Sequence, residues 1–81
     1  MRIEFSYQNN GEIKQCKFSS PERIEERDQQ YRKKFIVRMM IKYIYDHDIE
    51  KEDWIEGYIY DKDVCLGKIN YVGNFLEKEN Q

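Results

Sequence analysis

Apolar positions concentrate in one run, Tyr31 to Tyr45 (Tyr-Arg-Lys-Lys-Phe-Ile-Val-Arg-Met-Met-Ile-Lys-Tyr-Ile-Tyr). Two periods fit it. Read as a helix, Lys34, Arg38, Lys42 and Asp46 fall at i, i+4 spacing and form a polar stripe, with Ile36, Val37, Met40, Ile41 and Ile44 on the other side. Read as a strand, Phe35, Val37, Met39, Ile41, Tyr43 and Tyr45 alternate with mostly polar neighbours. A start signal upstream favours the helix. Ser20 suits a cap, Pro21 suits the first helical position, and Glu22 adds an acid to the first turn. No Gly or Pro follows before Gly57. The pattern predicts one helix from about residue 21 to 46, its first half anchored by Ile24 and an inner stripe at 24, 28, 31 and 35. A helix to about 34 followed by a strand is the competing arrangement, supported by the β-branched and aromatic content.

The flanks read as β-structure. Residues 2–7 alternate strictly, with Ile3, Phe5 and Tyr7 on one face. Residues 12–18 are less regular, and Ile13 and Phe18 differ in parity, which predicts a bulge near Gln15 or Cys16. Asn10-Gly11 between them accepts the two positive φ angles of a type I′ turn. Beyond the central run, Trp54 to Tyr60 and Val64 to Val72 read as a second hairpin across Asp61-Lys62-Asp63. A terminal helix through Leu66, Ile69 and Leu76 is the alternative, disfavoured by Gly67 and Gly73. Residues 77–81 are expected to fray. The fold class expected is α+β, a single small domain in the order ββαββ.

Composition limits what such a domain does. Eighty-one residues bury roughly 60% of their unfolded surface, so the core is small. Twelve aromatics, seven of them Tyr, supply large buried area from few residues and argue against disorder. The N-terminal stretch lacks the apolar run of a signal peptide, and no segment reaches the roughly 18 apolar residues of a membrane span. Cys16 and Cys65 stand apart, as reduced thiols of a cytoplasmic protein would. Charge is uneven. Residues 1–45 hold ten Lys/Arg and six Asp/Glu, and residues 46–81 hold four Lys and ten Asp/Glu. The halves therefore carry +4 and −6.

No motif dictates a chemistry. His47 is the only histidine, and the two cysteines lack paired spacing, so no zinc site is expected. Asp46-x-Asp48-x-Glu50 starts like a calcium loop, but Lys51 stands where the loop needs Gly, and Gly57 where it needs Glu. No nucleophile-base pair or phosphate-binding glycine loop is present, and the expected core is too small to enclose a pocket that shifts a carboxylate pKa. The chain is expected to be neither an enzyme nor dependent on a cofactor. The order of helix, acidic connector, strand, turn and strand over Arg32–Val72 is similar to the opening of nuclease domains in the restriction-endonuclease superfamily. In Gly67-Lys68-Ile69-Asn70-Tyr71, Asn70 occupies the place of that family's metal-binding Asp, and no Glu-x-Lys follows. The comparison implies the absence of nuclease activity.

Two surfaces remain. Asp46, Asp48, Glu50, Glu52, Asp53 and Glu56, beside Trp54, Tyr58 and Tyr60, form an acidic, aromatic-flanked patch. It is suited to a protein partner and able to imitate a phosphate backbone. With the Tyr-, Lys- and Ile-rich composition, it leads to the principal expectation of a protein-binding module or inhibitor. The narrower form is a phage-encoded inhibitor of a host nucleic-acid-processing complex, of the anti-CRISPR kind. The alternative is a small nucleic-acid-binding regulator using a basic helix face of Arg27, Lys34, Arg38 and Lys42. Glu22, Glu25, Glu26 and Asp28 lie among the basic residues and weaken that face. Open hairpin edges and surplus aromatics further predict a homodimer.

Overall fold

The computed structural model describes residues 1–77. The chain runs through β1 (Arg2–Asn9), β2 (Glu12–Ser19), a 3-10 turn (Glu22–Ile24), α1 (Gln29–Asp46), a second 3-10 turn (Lys51–Asp53), β3 (Trp54–Asp61), β4 (Val64–Ile69) and β5 (Phe75–Glu77). The strands form one sheet in the order β2-β1-β3-β4-β5, antiparallel at every pairing. Helix α1 supplies the second layer, and the fold is α+β. The expected strands-helix-strands order stands, with a third strand after the helix.

The first hairpin forms as its turn residues dictate. Asn10 and Gly11 take φ of 54° and 81°, and pairing runs unbroken from Asn9↔Glu12 to Arg2↔Ser19. The bulge expected near Gln15 or Cys16 is therefore absent. The parity conflict is resolved differently: Cys16 and Phe18 pack against the core, and Ile13 is left 62% exposed. The irregularities lie in other pairings. β3 carries one extra residue, Ile55, between the pairs Ser6↔Glu56 and Tyr7↔Trp54. β4 carries Leu66 between Ile59↔Gly67 and Tyr60↔Cys65.

The helix starts later than expected. Pro21 is extended, with φ −62° and ψ 147°. Ser20 is buried, its hydroxyl donating to Glu25 and accepting from the Met1 amine. Asp28 is the actual cap, its carboxylate accepting from the Tyr31 amide at 2.8 Å. Consequently the inner stripe of 24, 28, 31 and 35 does not exist as one face. Ile24 is buried, whereas Tyr31 is 39% exposed. From residue 29 onward the periodicity holds. Ile36, Met40 and Ile44 are buried, and Lys34, Arg38 and Lys42 face solvent. Residues 35–45 are helical, which excludes the strand alternative.

α1 ends at Asp46 as expected, in a Schellman motif. The Ile49 amide donates to the Ile44 carbonyl, and the Asp48 amide to that of Tyr45. Asp48 takes the left-handed position at φ 50°. Ile44 and Ile49 are both buried across the motif. After β3 the chain departs from expectation. β4 stops at Ile69, and residues 70–74 form a loop. The Asn70 side chain accepts from the Asn74 amide, and the Asn70 carbonyl from the Gly73 amide. Gly73 has φ 86°, and a Cβ there would stand 3.1 Å from Ile41 and 3.2 Å from Val37. A side chain here would strain the backbone torsion and press on both neighbours, so glycine suits the close approach of the loop to the helix. Glu77 closes β5 instead of fraying, and the rest of the expected frayed tail lies outside the described residues.

The core lies between the sheet and α1. Met1, Ile3, Phe5, Tyr7, Ile59 and Ile69 meet Ile36, Met40, Ile44 and Ile49 there. The opposite sheet face is uncovered. Pairing puts Arg2, Glu4, Ser6, Lys17, Glu56, Tyr58 and Tyr60 on it.

Candidate protein-binding surface

The acidic connector leaves α1 at Asp46 and enters β3 at Trp54. Its course is tightly specified. Ile49 is buried in its middle, and its carbonyl accepts from the Tyr71 hydroxyl at 2.7 Å. Glu50 and Asp53 form a reciprocal capping box around the 3-10 turn. The Asp53 carboxylate accepts from the Glu50 amide at 3.1 Å. Asp46 accepts from Lys42 at 2.6 Å, and Glu56 accepts from the Tyr58 hydroxyl at 3.0 Å. That last bond raises the Tyr58 pKa above its ordinary value, because ionising the phenol would break it beside a carboxylate. The Asp48 and Glu52 carboxylates have no hydrogen-bond or ion-pair partner among the described residues.

The expected patch does not assemble as one surface. Trp54 lies on the helix side of the sheet, stacked on Phe5 at 5.4 Å and 14°, with Tyr71 edge-on at 6.4 Å. Glu56, Tyr58 and Tyr60 share the uncovered face, where the Arg2 guanidinium sits 4.4 Å above the Tyr60 ring. The cause is the extra residue Ile55. Without it, Trp54 and Glu56 would point the same way along the strand. Asp46, Asp48, Glu50, Glu52 and Asp53 remain together at the end of α1.

Beside that segment is a groove that the sequence did not reveal. It measures about 420 Å³ and is lined by Ile41, Ile44, Tyr45, Ile49, Tyr71 and Val72, with Asp48 and Glu50 at its edge. Tyr45 is 82% exposed and Val72 62%. The sequence pattern assigned Ile41 to the covered side of the helix and Val72 to a strand. The loop at 70–74 brings them together, and the only advance signal was the glycine at 73. A second groove, about 440 Å³, opens on the uncovered sheet face among Glu4, Gln15, Lys17, Glu56, Tyr58 and Tyr60.

The basic residues are mostly engaged. Arg32 makes two contacts to Asp61, at 2.9 and 3.5 Å. The Arg27 guanidinium lies 3.8 Å over Tyr31, and the Lys33 ammonium 4.1 Å over Phe75. Of the expected nucleic-acid face, Lys34 and Arg38 project from the helix with no ion-pair partner among the described residues, and Lys42 is paired with Asp46. His47 stacks on Tyr43 at 3.8 Å, its Nδ1 2.9 Å from the Tyr43 carbonyl. Burial, first of all, raises the Tyr43 pKa above its ordinary value, with the neighbouring Cys16 thiol and the Tyr7 hydroxyl at 2.9 Å acting in the same direction. Cys16 and Cys65 are free thiols. Among the described residues, no three His, Cys, Asp or Glu side chains converge as a metal site, and no helix is long and apolar enough to cross a membrane.

No family model, no curated protein and no solved structure matches this chain.

Proposed function

We propose that this domain is a non-enzymatic protein-binding module acting through the end of α1 and the acidic connector. The observation that carries the proposal is the apolar groove there. Ile41, Tyr45 and Val72 are exposed side by side, over a floor of Ile44 and Ile49. Apolar and aromatic surface rimmed by polar groups is the composition of protein interfaces. In its narrower form the module is an inhibitor of a host nucleic-acid-processing complex, of the phage-borne anti-CRISPR kind. Support for that form comes from composition and from the connector's carboxylates.

The test uses substitutions that leave the core alone. Tyr45→Ser with Val72→Ser alters two side chains that are largely in solvent. A partner captured from the source cell by the parent chain is expected to be lost by this double variant at an unchanged melting temperature. Undiminished capture would sink the proposal. Titration with duplex DNA and RNA at two salt concentrations tests the nucleic-acid alternative. Tight, salt-sensitive binding would favour the Lys34 and Arg38 face instead.

A further inference from the structure

We infer that the groove at the end of α1 accepts a basic, apolar-anchored segment of its partner: one or two bulky apolar side chains with lysine or arginine on either side. This rests on the protein-binding function proposed above and specifies the chemistry of what is bound. Size comes first. At about 420 Å³ and open to solvent, the groove has room for one or two side chains laid along it. Its floor is buried isoleucine, and its walls are Ile41, Tyr45, Tyr71 and Val72. The Tyr71 hydroxyl at the groove already donates to the Ile49 carbonyl, so an apolar anchor laid over it leaves that pair intact.

Charge selects the flanks. Asp48 and Glu50 line the groove, and no lysine or arginine does. Lys51 and Glu52 follow on the same exposed segment and offset one another, so the excess negative charge is that of Asp48 and Glu50. The Schellman motif fixes the Asp48 backbone, and the capping box holds the Glu50 carboxylate before anything binds. The Tyr71 hydroxyl on the Ile49 carbonyl ties the two walls together. Preformed walls reduce the ordering cost of association. A segment with acidic flanks, or a phosphate backbone, would instead bring like charges together across a surface that is losing water.

The experiment is methyl-detected NMR of the full chain with Ile and Val labelled. The probes are three synthetic peptides sharing a central Leu-Phe pair, flanked by Lys, by Gln or by Glu. The Lys peptide is expected to shift the methyls of Ile41, Ile49 and Val72 saturably. It should bind about tenfold tighter than the Gln peptide, the size expected of two exposed ion pairs. Asp48→Asn with Glu50→Gln removes both charges while keeping a residue tolerant of positive φ and a side chain able to accept in the capping box. In that variant the advantage of the Lys peptide should vanish. Equal shifts from Lys and Glu peptides would overturn the inference while leaving the protein-binding function standing. If none of the three peptides moves these methyls, the location proposed for that function falls as well. Shifts that grow with protein concentration in the absence of peptide would assign the groove to a second copy of the chain, and would equally overturn the inference.

Discussion

Asp61 joins the first turn of α1 to the turn between β3 and β4. It accepts from Arg32 at 2.9 Å and from Gln29 at 3.2 Å. These bonds, Arg32's first, hold its pKa below the ordinary carboxylate value. The folded value is depressed, so the stabilisation is complete above the unfolded value of about 3.9 and is lost as pH falls through the folded one. Asp61→Asn should therefore lower the melting temperature at neutral pH. Its gap from the parent should begin to narrow at about pH 4 and close as pH falls further, through the folded value; a gap independent of pH would refute this assignment. Gly57 is a second residue with a specific task. A Cβ there would meet the Trp54 ring at 2.8 Å and the Ile69 side chain and carbonyl at 3.0 and 3.2 Å. The carbonyl belongs to backbone and cannot swing aside. Gly57→Ala should cost roughly 1–3 kcal/mol, read as an earlier denaturation midpoint by Trp fluorescence. Neither residue announced itself in the sequence. Arg32 and Asp61 are 29 positions apart, and the crowding at Gly57 comes from the inward-turned Trp54 ring of its own strand and from Ile69 on β4.

At the scale of elements, α1 was legible where packing supports it and illegible where it does not. Ile36, Met40 and Ile44 recur every fourth residue and bury one face, so the helical period from 34 to 46 survives in the structure. Between Glu22 and Asp28 only Ile24 is buried, and a helix without an apolar face gains little from continuing. The Ser20-Pro21 start signal was therefore spent on a single 3-10 turn. Asp28 took over as the cap. The far end is decided by Asp48, a non-glycine residue at φ 50°. Asp48→Gly removes that strain and should stabilise the domain by up to about 1 kcal/mol in urea denaturation. An unchanged or lower midpoint would show that the carboxylate contributes more than the backbone conformation costs. The first hairpin was legible to its turn residues because Asn-Gly specifies both torsions locally. The bulges in β3 and β4 were not, because they are settled by pairing with strands distant in sequence.

For the whole molecule, the amino-acid order alone determined an α+β chain with strands on either side of one amphipathic helix, a basic first half and an acidic connector. These properties depend on period, turn chemistry and charge count, all of which are local. Tertiary structure decided which side chains share a surface. One extra residue at Ile55 turned Trp54 inward while Glu56, Tyr58 and Tyr60 stayed on the uncovered face. The loop at 70–74, admitted by Gly73, set Val72 beside Ile41 and Tyr45. A groove is a relation between segments, and its existence depends on strand register and loop approach, which are fixed only when the chain packs against itself.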